Sequence, residues 1–415
     1  MHIRELLTHD QLNNFDESIA SELIQKIETG NIHDLSCFSL GRIRAETLVL
    51  IATALAKCTN LHTVNMGCNN LGQYGPAIAE NLAMCTNLHT VYMSGCNLRE
   101  HGPAIAENLA MCTNLHTVYM DHNYLGQYGP AIAKNLAKCT NLHTVYMGSN
   151  NLGQYGPETA NNLAMCLKLH TVDMSGNYLE RYGPETANNL AVCLYLHTVN
   201  MSGNNLGWYG PETANNLAVC LYLHTVYMGS NNLREHGPET VNNLAKCLKL
   251  HTVNMSGNNL ERYGPETANN LNPSLHNVNM SGNNLGWYGI PIAKILAKYL
   301  KLEIVDMSAN NLRKHGPETI ENFALAPSLH TVYIHFNNLE GEPKTVEKLA
   351  MCLNLHRVSI EDVHRGPMLE ITRNKNAQMH KSFKEAMDDT FKHTPPALLG
   401  LIEDYADCSI EFIAY

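Results

Sequence analysis

The string CTNLHTVYM occurs at residues 85–93 and returns unchanged at 112–120 and 139–147. A Cys with a His four residues later recurs nine times, and eight of these pairs, from Cys58/His62 to Cys247/His251, step by 27 residues; the ninth is Cys352/His356. A fixed period of this length marks a stacked repeat, in which no unit buries its apolar side alone and each covers its neighbour. A chain of 415 residues built this way is expected to form one elongated array and not two or three lobes.

Aligned, the units read L-H-T-V-x-M-x-x-N-x-L. They start at residues 61, 88, 115, 142, 169, 196, 223, 250, 275, 302, 329 and 355, after a degenerate forerunner near Leu35. Positions are counted below from the first leucine. Leu61, Val64 and Met66 alternate as a short strand requires, with Thr63 and Asn65 facing away. In the copy at 155, YGPETANNLAMC then opens a helix, with Pro157 at a tolerated first-turn position and Glu158 complementing the helix dipole. Ala160, Leu163 and Ala164 recur at helical spacing and are expected to face the strand.

This pattern resembles that of leucine-rich-repeat proteins, and the helical half is similar to the ribonuclease-inhibitor subclass. The resemblance covers residues 35–362. It implies an α/β fold, a leucine-rich-repeat solenoid or horseshoe of about thirteen repeats, with a parallel β-sheet on the concave face and helices on the convex face. At the ninth position, Asn69, Asn123, Asn150, Asn177, Asn204, Asn231, Asn258, Asn283, Asn310 and Asn337 would form a buried amide ladder, with Cys96 the one replacement in this run. The ends divide off as a helical cap at 1–34, containing the amphipathic stretch FDESIASELIQKIETGN, and a C-terminal helical cap or short docking segment at 363–415.

The formal charge of −10, with 28 Lys and Arg, offers no basic stripe for nucleic acid. No apolar leader or bilayer-length stretch is present, so a soluble, cytosolic protein without membrane contact is expected. Thirteen Cys, an odd number at regular spacing, read as reduced thiols. The Cys-His pairs themselves read as scaffold: the Cys closes the outer helix and points inward, while the His follows the first strand leucine and points out. Asn272, Tyr299 and Ala326 replace the Cys where the rest of the motif continues. The histidines make a row spaced by roughly 5 Å, the distance between adjacent strands, which would repel itself on protonation. No nucleotide-binding, zinc-protease, serine-hydrolase or paired CxxC motif occurs, so no enzyme, cofactor or metal is expected.

Specificity in such an array is written at strand-facing and loop positions. At position five Tyr92, Tyr119 and Tyr146 form a stripe, continued by Asp173, Tyr227, Asp306 and Tyr333 among asparagines. Asp121 with His122, and His335 with Phe336, break the small-residue pattern at positions seven and eight. On the loop rim, Trp208 and Trp287 stand where other copies have Gln, Glu, Arg or Lys, and Arg181 and Arg262 hold the same position. Exposed Trp and Tyr are enriched at binding hot spots; packing over a neighbouring loop is the alternative reading.

As a whole the chain resembles the leucine-rich-repeat effectors that Legionella-type intracellular bacteria deliver into host cells. That resemblance implies a virulence-associated binding protein secreted into the host cytoplasm without a cleaved signal peptide. Its partner would be a folded protein, either a host factor or another bacterial effector. PPALLGLIEDYA at 395–406 is similar to the opening helix of F-box-like elements, which would make the chain a substrate receptor holding a ubiquitin-ligase adaptor. Ribonuclease-inhibitor-like repeats also occur in GTPase-activating proteins, which leaves a regulator of that kind open.

Overall fold

From the copy at 61 to the copy at 329, each commits only three residues to a strand, because the leucine, valine and methionine that must be buried lie within six positions of one another. The structure, a computed structural model, describes residues 17–29, 45–58, 61–339, 357–360, 369–373 and 410–414. The chain divides into two units, Met1–His224 and Thr225–Tyr415.

The first unit opens with helices α1 (Glu17–Thr29) and α2 (Ala45–Leu55). Strands β1 (Thr63–Asn65), β2 (Thr90–Tyr92), β3 (Thr117–Tyr119), β4 (Thr144–Tyr146), β5 (Thr171–Asp173) and β6 (Thr198–Asn200) follow, all parallel. Register is strict, with Thr63 opposite Thr90 and Thr90 opposite Thr117. Helices α3 (Gly75–Leu82), α4 (Gly102–Leu109), α5 (Gly129–Leu136), α6 (Gly156–Leu163), α7 (Gly183–Leu190) and α8 (Gly210–Leu217) alternate with them, each entered through a 3-10 turn such as Gly153–Tyr155.

In the second unit, β7 (Thr225–Tyr227), β8 (Thr252–Asn254), β9 (Asn277–Asn279), β10 (Ile304–Asp306), β11 (Thr331–Tyr333) and β12 (Arg357–Ile360) are parallel neighbours in that order. Among the described residues, four helices lie between β7 and β11: α9 (Gly237–Leu244), α10 (Gly264–Asn270), α11 (Gly289–Leu296) and α12 (Gly316–Phe323). Two further strands, β13 (Leu369–Arg373) and β14 (Ile410–Ala414), pair antiparallel. The sequence reading expects helices in the tail, at 376–393 and 395–406, and these stretches lie outside the described residues. The strands instead use LEITR and IEFIA, whose alternation suits a period of two. At the other end, the stretch expected to form an amphipathic helix contains α1.

The core follows the repeat. Leu61, Val64, Met66 and Leu71 from the strand half meet Ile78, Ala79 and Leu82 from the helix, all buried, and later copies repeat the set. Burying each large aliphatic side chain contributes roughly 1.5–3 kcal/mol, so the stack is stabilised copy by copy. Two details differ from the sequence reading. In the copy at 155 Ala164 is only half-buried, and Thr159 takes the inward place, its hydroxyl donating to Tyr155 O at 2.7 Å. The glycine before each helix proline is a packing requirement, since a Cβ on Gly183 would sit 2.4 Å from Leu206 Cδ2 of the next copy.

The asparagine ladder forms as expected. Asn150 Nδ2 donates to Met147 O of its own copy and Met120 O of the preceding one, at 3.0 and 2.9 Å, while its Oδ1 accepts the Asn123 amide at 2.8 Å. The recurrent Cys is buried and caps a helix end: the thiols of Cys85, Cys112 and Cys139 point at the carbonyls of Leu55, Leu82 and Leu109 in the copy before. Tyr299, which replaces this Cys, donates its hydroxyl to Ala268 O and Leu271 O at 2.8 and 2.9 Å. Substitution is tolerated there because another donor reaches the same carbonyls.

Cys96 fills its ladder site only in part. Its thiol points at Met66 O at 3.0 Å, but it has no carbonyl oxygen for the Asn69 and Leu71 amides, the role Asn177 plays for Asn150 and Leu152. Restoring that acceptor with Cys96→Asn is expected to stabilise the protein by about 1 kcal/mol, a typical net hydrogen-bond contribution, read as a raised denaturant midpoint at unchanged m-value. A lowered midpoint would show that the site has adapted to the thiol.

Candidate functional site

The residues singled out by sequence fall into separate groups within each unit. In the first, the rings of Tyr92, Tyr119 and Tyr146 stack face to face on the exposed side of the sheet, with centroids 4.2 and 4.3 Å apart and planes 12° and 4° from parallel. Burial in the middle of the stack pushes the Tyr119 hydroxyl well above the ordinary tyrosine range, reinforced by the neighbouring Tyr92. Tyr119 therefore presents a neutral hydroxyl at neutral pH.

Position five has a second duty that the sequence reading missed. Where it holds Asn or Asp, its Oδ1 accepts the amide two residues on: Asn65 from Gly67, Asp173 from Ser175, Asn200 from Ser202, Asp306 from Ser308. A tyrosine there cannot do this. In the Tyr146 copy Asp121 of the preceding copy supplies the acceptor, taking the Gly148 amide on Oδ1 at 2.9 Å and the Ser94 hydroxyl on Oδ2 at 3.0 Å. Burial pushes the Asp121 carboxyl up, these two donors pull it down, and the Asp173 charge raises it again. Asp121 is thus a brace beneath the tyrosine stack, and Asp173 also accepts from Asn200 Nδ2 at 2.8 Å.

The eighth and tenth loop positions of the copies starting at 61 to 329, and the twelfth of those starting at 61 to 302, adopt left-handed backbone with φ between 41° and 69°. That explains Gly, Ser or Cys at the eighth and Asn at the tenth, residue types that enter this region at low cost. It also marks the exceptions. His122 and Phe336 occupy the eighth position, and Tyr124 and Tyr178 the tenth, as large exposed side chains on strained backbone. Tyr124 and Tyr178 escaped the sequence reading; their departure from an otherwise constant Asn was the available signal. The Arg99 guanidinium lies 5.8 Å from the Tyr124 ring centre.

On the rim of the first unit Trp208 is 68% exposed, with its ring 5.4 Å from that of Tyr209. Arg181 lies 4.9 Å over the Tyr182 ring and donates to its hydroxyl at 2.7 Å. In the second unit Trp287 is 55% exposed against Tyr288, and Arg262 repeats the Arg181 arrangement on Tyr263. Tyr333, His335 and Phe336 form an edge-on aromatic group there, with Ser308 Oγ 3.1 Å from His335 Nδ1. Tyr227 pairs across the sheet with Asn254 and has no Tyr on that side to stack on.

The histidine row is continuous through the first unit. Rings from His89 to His197 lie 4.9–5.1 Å apart and nearly parallel. Nδ1 of His89, His116, His143 and His170 lies 2.5–2.6 Å from the carbonyl two residues earlier, which fixes the Nδ1–H tautomer and orients each ring. Burial drives the thiols of Cys85, Cys112 and Cys166 up to about 12, so they are inert scaffold. Among the described residues no cluster of three or more His, Cys, Asp or Glu is placed to hold a metal, and no helix is long and apolar enough to cross a membrane.

Strand, asparagine ladder, left-handed loop and helix recur in the order L-x-x-L-x-L-x-x-N-x-L, with the ladder amides linking each copy to the next. These are leucine-rich repeats. The α/β leucine-rich-repeat solenoid expected from the sequence is the fold that the chain adopts. No protein-family model and no curated protein matches the sequence. Among solved structures, the chain is similar to the leucine-rich repeat-containing protein LegL7 from Legionella pneumophila, at 15% identity over 71% of this chain and 91% of that one, with a TM-score of 0.46. At that score the likeness carries no weight of its own, and the fold rests on the repeats of this chain.

Within the histidine row, His143 is expected to make the stability of the leucine-rich repeats depend on pH. His143 is lowered from 6.5, first by burial, then by the charges of His116, His170 and Lys168, against a raising hydrogen bond to Asn141 O. The unfolded chain therefore takes up a proton at a higher pH than the folded one. Stability is complete above about 6.5 and is lost as pH falls through the lower folded value. The thermal midpoint is expected to drop between about pH 7.5 and 5, and His143→Gln to flatten that slope. A midpoint independent of pH over this range, or a slope indifferent to His143→Gln, would sink the idea.

Proposed function

We propose that this chain is a non-enzymatic protein-binding scaffold whose tyrosine stack, Tyr92, Tyr119 and Tyr146, is the principal contact for a folded protein partner. One observation carries the reading: Asn or Asp at position five closes its own turn, whereas a tyrosine cannot, and in the Tyr146 copy Asp121 stands in as the acceptor. Half-buried aromatic rings kept at such a cost to the scaffold, each with a polar hydroxyl and few rotamers, suit recognition.

His122, Tyr124 and Trp208 of the same unit extend this surface along the loop side. Arg181, Arg262, Trp287, Tyr227, Asp306, Tyr333, His335 and Phe336 are proposed as supplementary contacts. The partner is a host factor or another bacterial effector, in keeping with a role in the host cytoplasm. The F-box-like segment at 395–406 lies outside the described residues, and no observation favours the ligase or GTPase readings.

The test is capture of partners on the intact chain, followed by calorimetric titration of the partner recovered with wild type, Tyr119→Asn and Trp208→Gln. Both replacements are residues that other copies hold at these positions, as in Asn65 and Gln154, so the fold is preserved. Tyr119→Asn is expected to weaken binding at least about tenfold, the size of an aromatic hot spot, and Trp208→Gln by less. An affinity indifferent to both would remove the basis of the reading.

A further inference from the structure

The tyrosine stack and the loop rim leave unexplained a third feature, on the turn that follows each helix. There the early copies read Cys-Thr-Asn, with Thr86, Thr113 and Thr140 exposed, whereas later copies of the first unit place Leu167, Leu194 and Leu221 at the same position. These leucines are 83%, 77% and 79% exposed. Since threonine serves the same backbone in three copies, leucine contributes nothing to the fold.

The neighbouring positions change in the same copies. Val192 and Val219 are exposed just before the Cys, and Tyr195 and Tyr222 follow the leucines. The two tyrosine rings lie 6.3 Å apart, each 6.2 Å from a ring of the histidine row. Both copies of Val-Cys-Leu-Tyr lack charge, and Lys168, which follows Leu167, is turned back onto Asn141 Oδ1 at 2.6 Å.

We infer that this strip is a self-association surface, covered by a second copy of the chain packed leucine ridge against leucine ridge about a twofold axis. Two features select that occupant. With Met165 included, eight exposed apolar side chains present on the order of 800 Å², one partner's share of an interface of standard size. The ridges also repeat at the rung spacing, so a surface that interdigitates with them along their length must have the same period. An identical strip has it, and a twofold makes one patch serve both sides. A partner selected by charge finds none in the two Val-Cys-Leu-Tyr segments.

The test is sedimentation velocity on the full chain, comparing wild type with the triple variant Leu167→Thr, Leu194→Thr and Leu221→Thr. Each replacement restores the residue of the early copies, so circular dichroism and the thermal midpoint at low concentration verify that the fold is intact. Wild type is expected to be a dimer at about 10 µM, as interfaces of this area support. The triple variant is expected to dimerise at least about 100-fold more weakly. A wild type that stays monomeric at several hundred micromolar overturns the inference, including the case where the strip captures an unrelated protein or lipid. A dimer unaffected by the triple variant overturns it as well.

Discussion

The buried amide of the ninth position holds the leucine-rich repeats to one another. A three-residue strand makes too few hydrogen bonds to fix a turn behind it, and that turn buries backbone groups which water cannot reach. One asparagine side chain serves two copies at once, donating to carbonyls on both and accepting the neighbour's amide. Leaving such groups unpaired costs about 1–3 kcal/mol each, so the ladder carries more weight than its net bond energies suggest. A second ladder runs along the helices, where Asn135, Asn162, Asn189 and Asn216 donate to Pro103, Pro130, Pro157 and Pro184 of the copy before, at 2.9–3.0 Å. Strand side and helix side are thus each tied by amides.

Because ladder and core are satisfied by constant residues, the variable positions carry little of the fold. Yet they are not idle. Position five closes a turn when it is Asn or Asp, and in the Tyr146 copy that task passes to Asp121 of the copy before. The thiol position caps a neighbouring helix and accepts a tyrosine when the copy before is shortened, as at Tyr299. Variation in this array is therefore coupled between adjacent copies, and a departure in one is matched by a compensation in the next.

Most of the scaffold was legible in the sequence because every inward residue recurs at a fixed place. Strand alternation, the proline that opens the helix and the ladder asparagine each appear in nearly every copy. The tyrosine stack was legible too, since three successive Tyr in register must lie side by side. What escaped reading were residues whose role depends on backbone geometry or on a neighbouring copy. Asp121 reads as a free polar handle until Gly148 and Ser94 are seen donating to it. Tyr124 and Tyr178 read as ordinary variation until the left-handed backbone beneath them is known. Leu194 and Leu221 lie one residue from the core cysteine and two from the core leucines, and a hydrophobic pattern alone does not separate outward from inward in so tight a turn.

The left-handed loop positions also limit how this surface can diversify. Branching at Cβ and a proline ring are both sterically opposed to positive φ, and Val, Ile, Thr and Pro occupy none of these sites in any described copy. Random mutation at the rim is therefore filtered before any partner is met, toward Gly, Asn, Ser and a few long or aromatic side chains on unbranched stems. An array that lengthens by duplicating its copies inherits this restricted alphabet with each one. A combinatorial library built on the same rim would do best to exclude those four residue types at the outset.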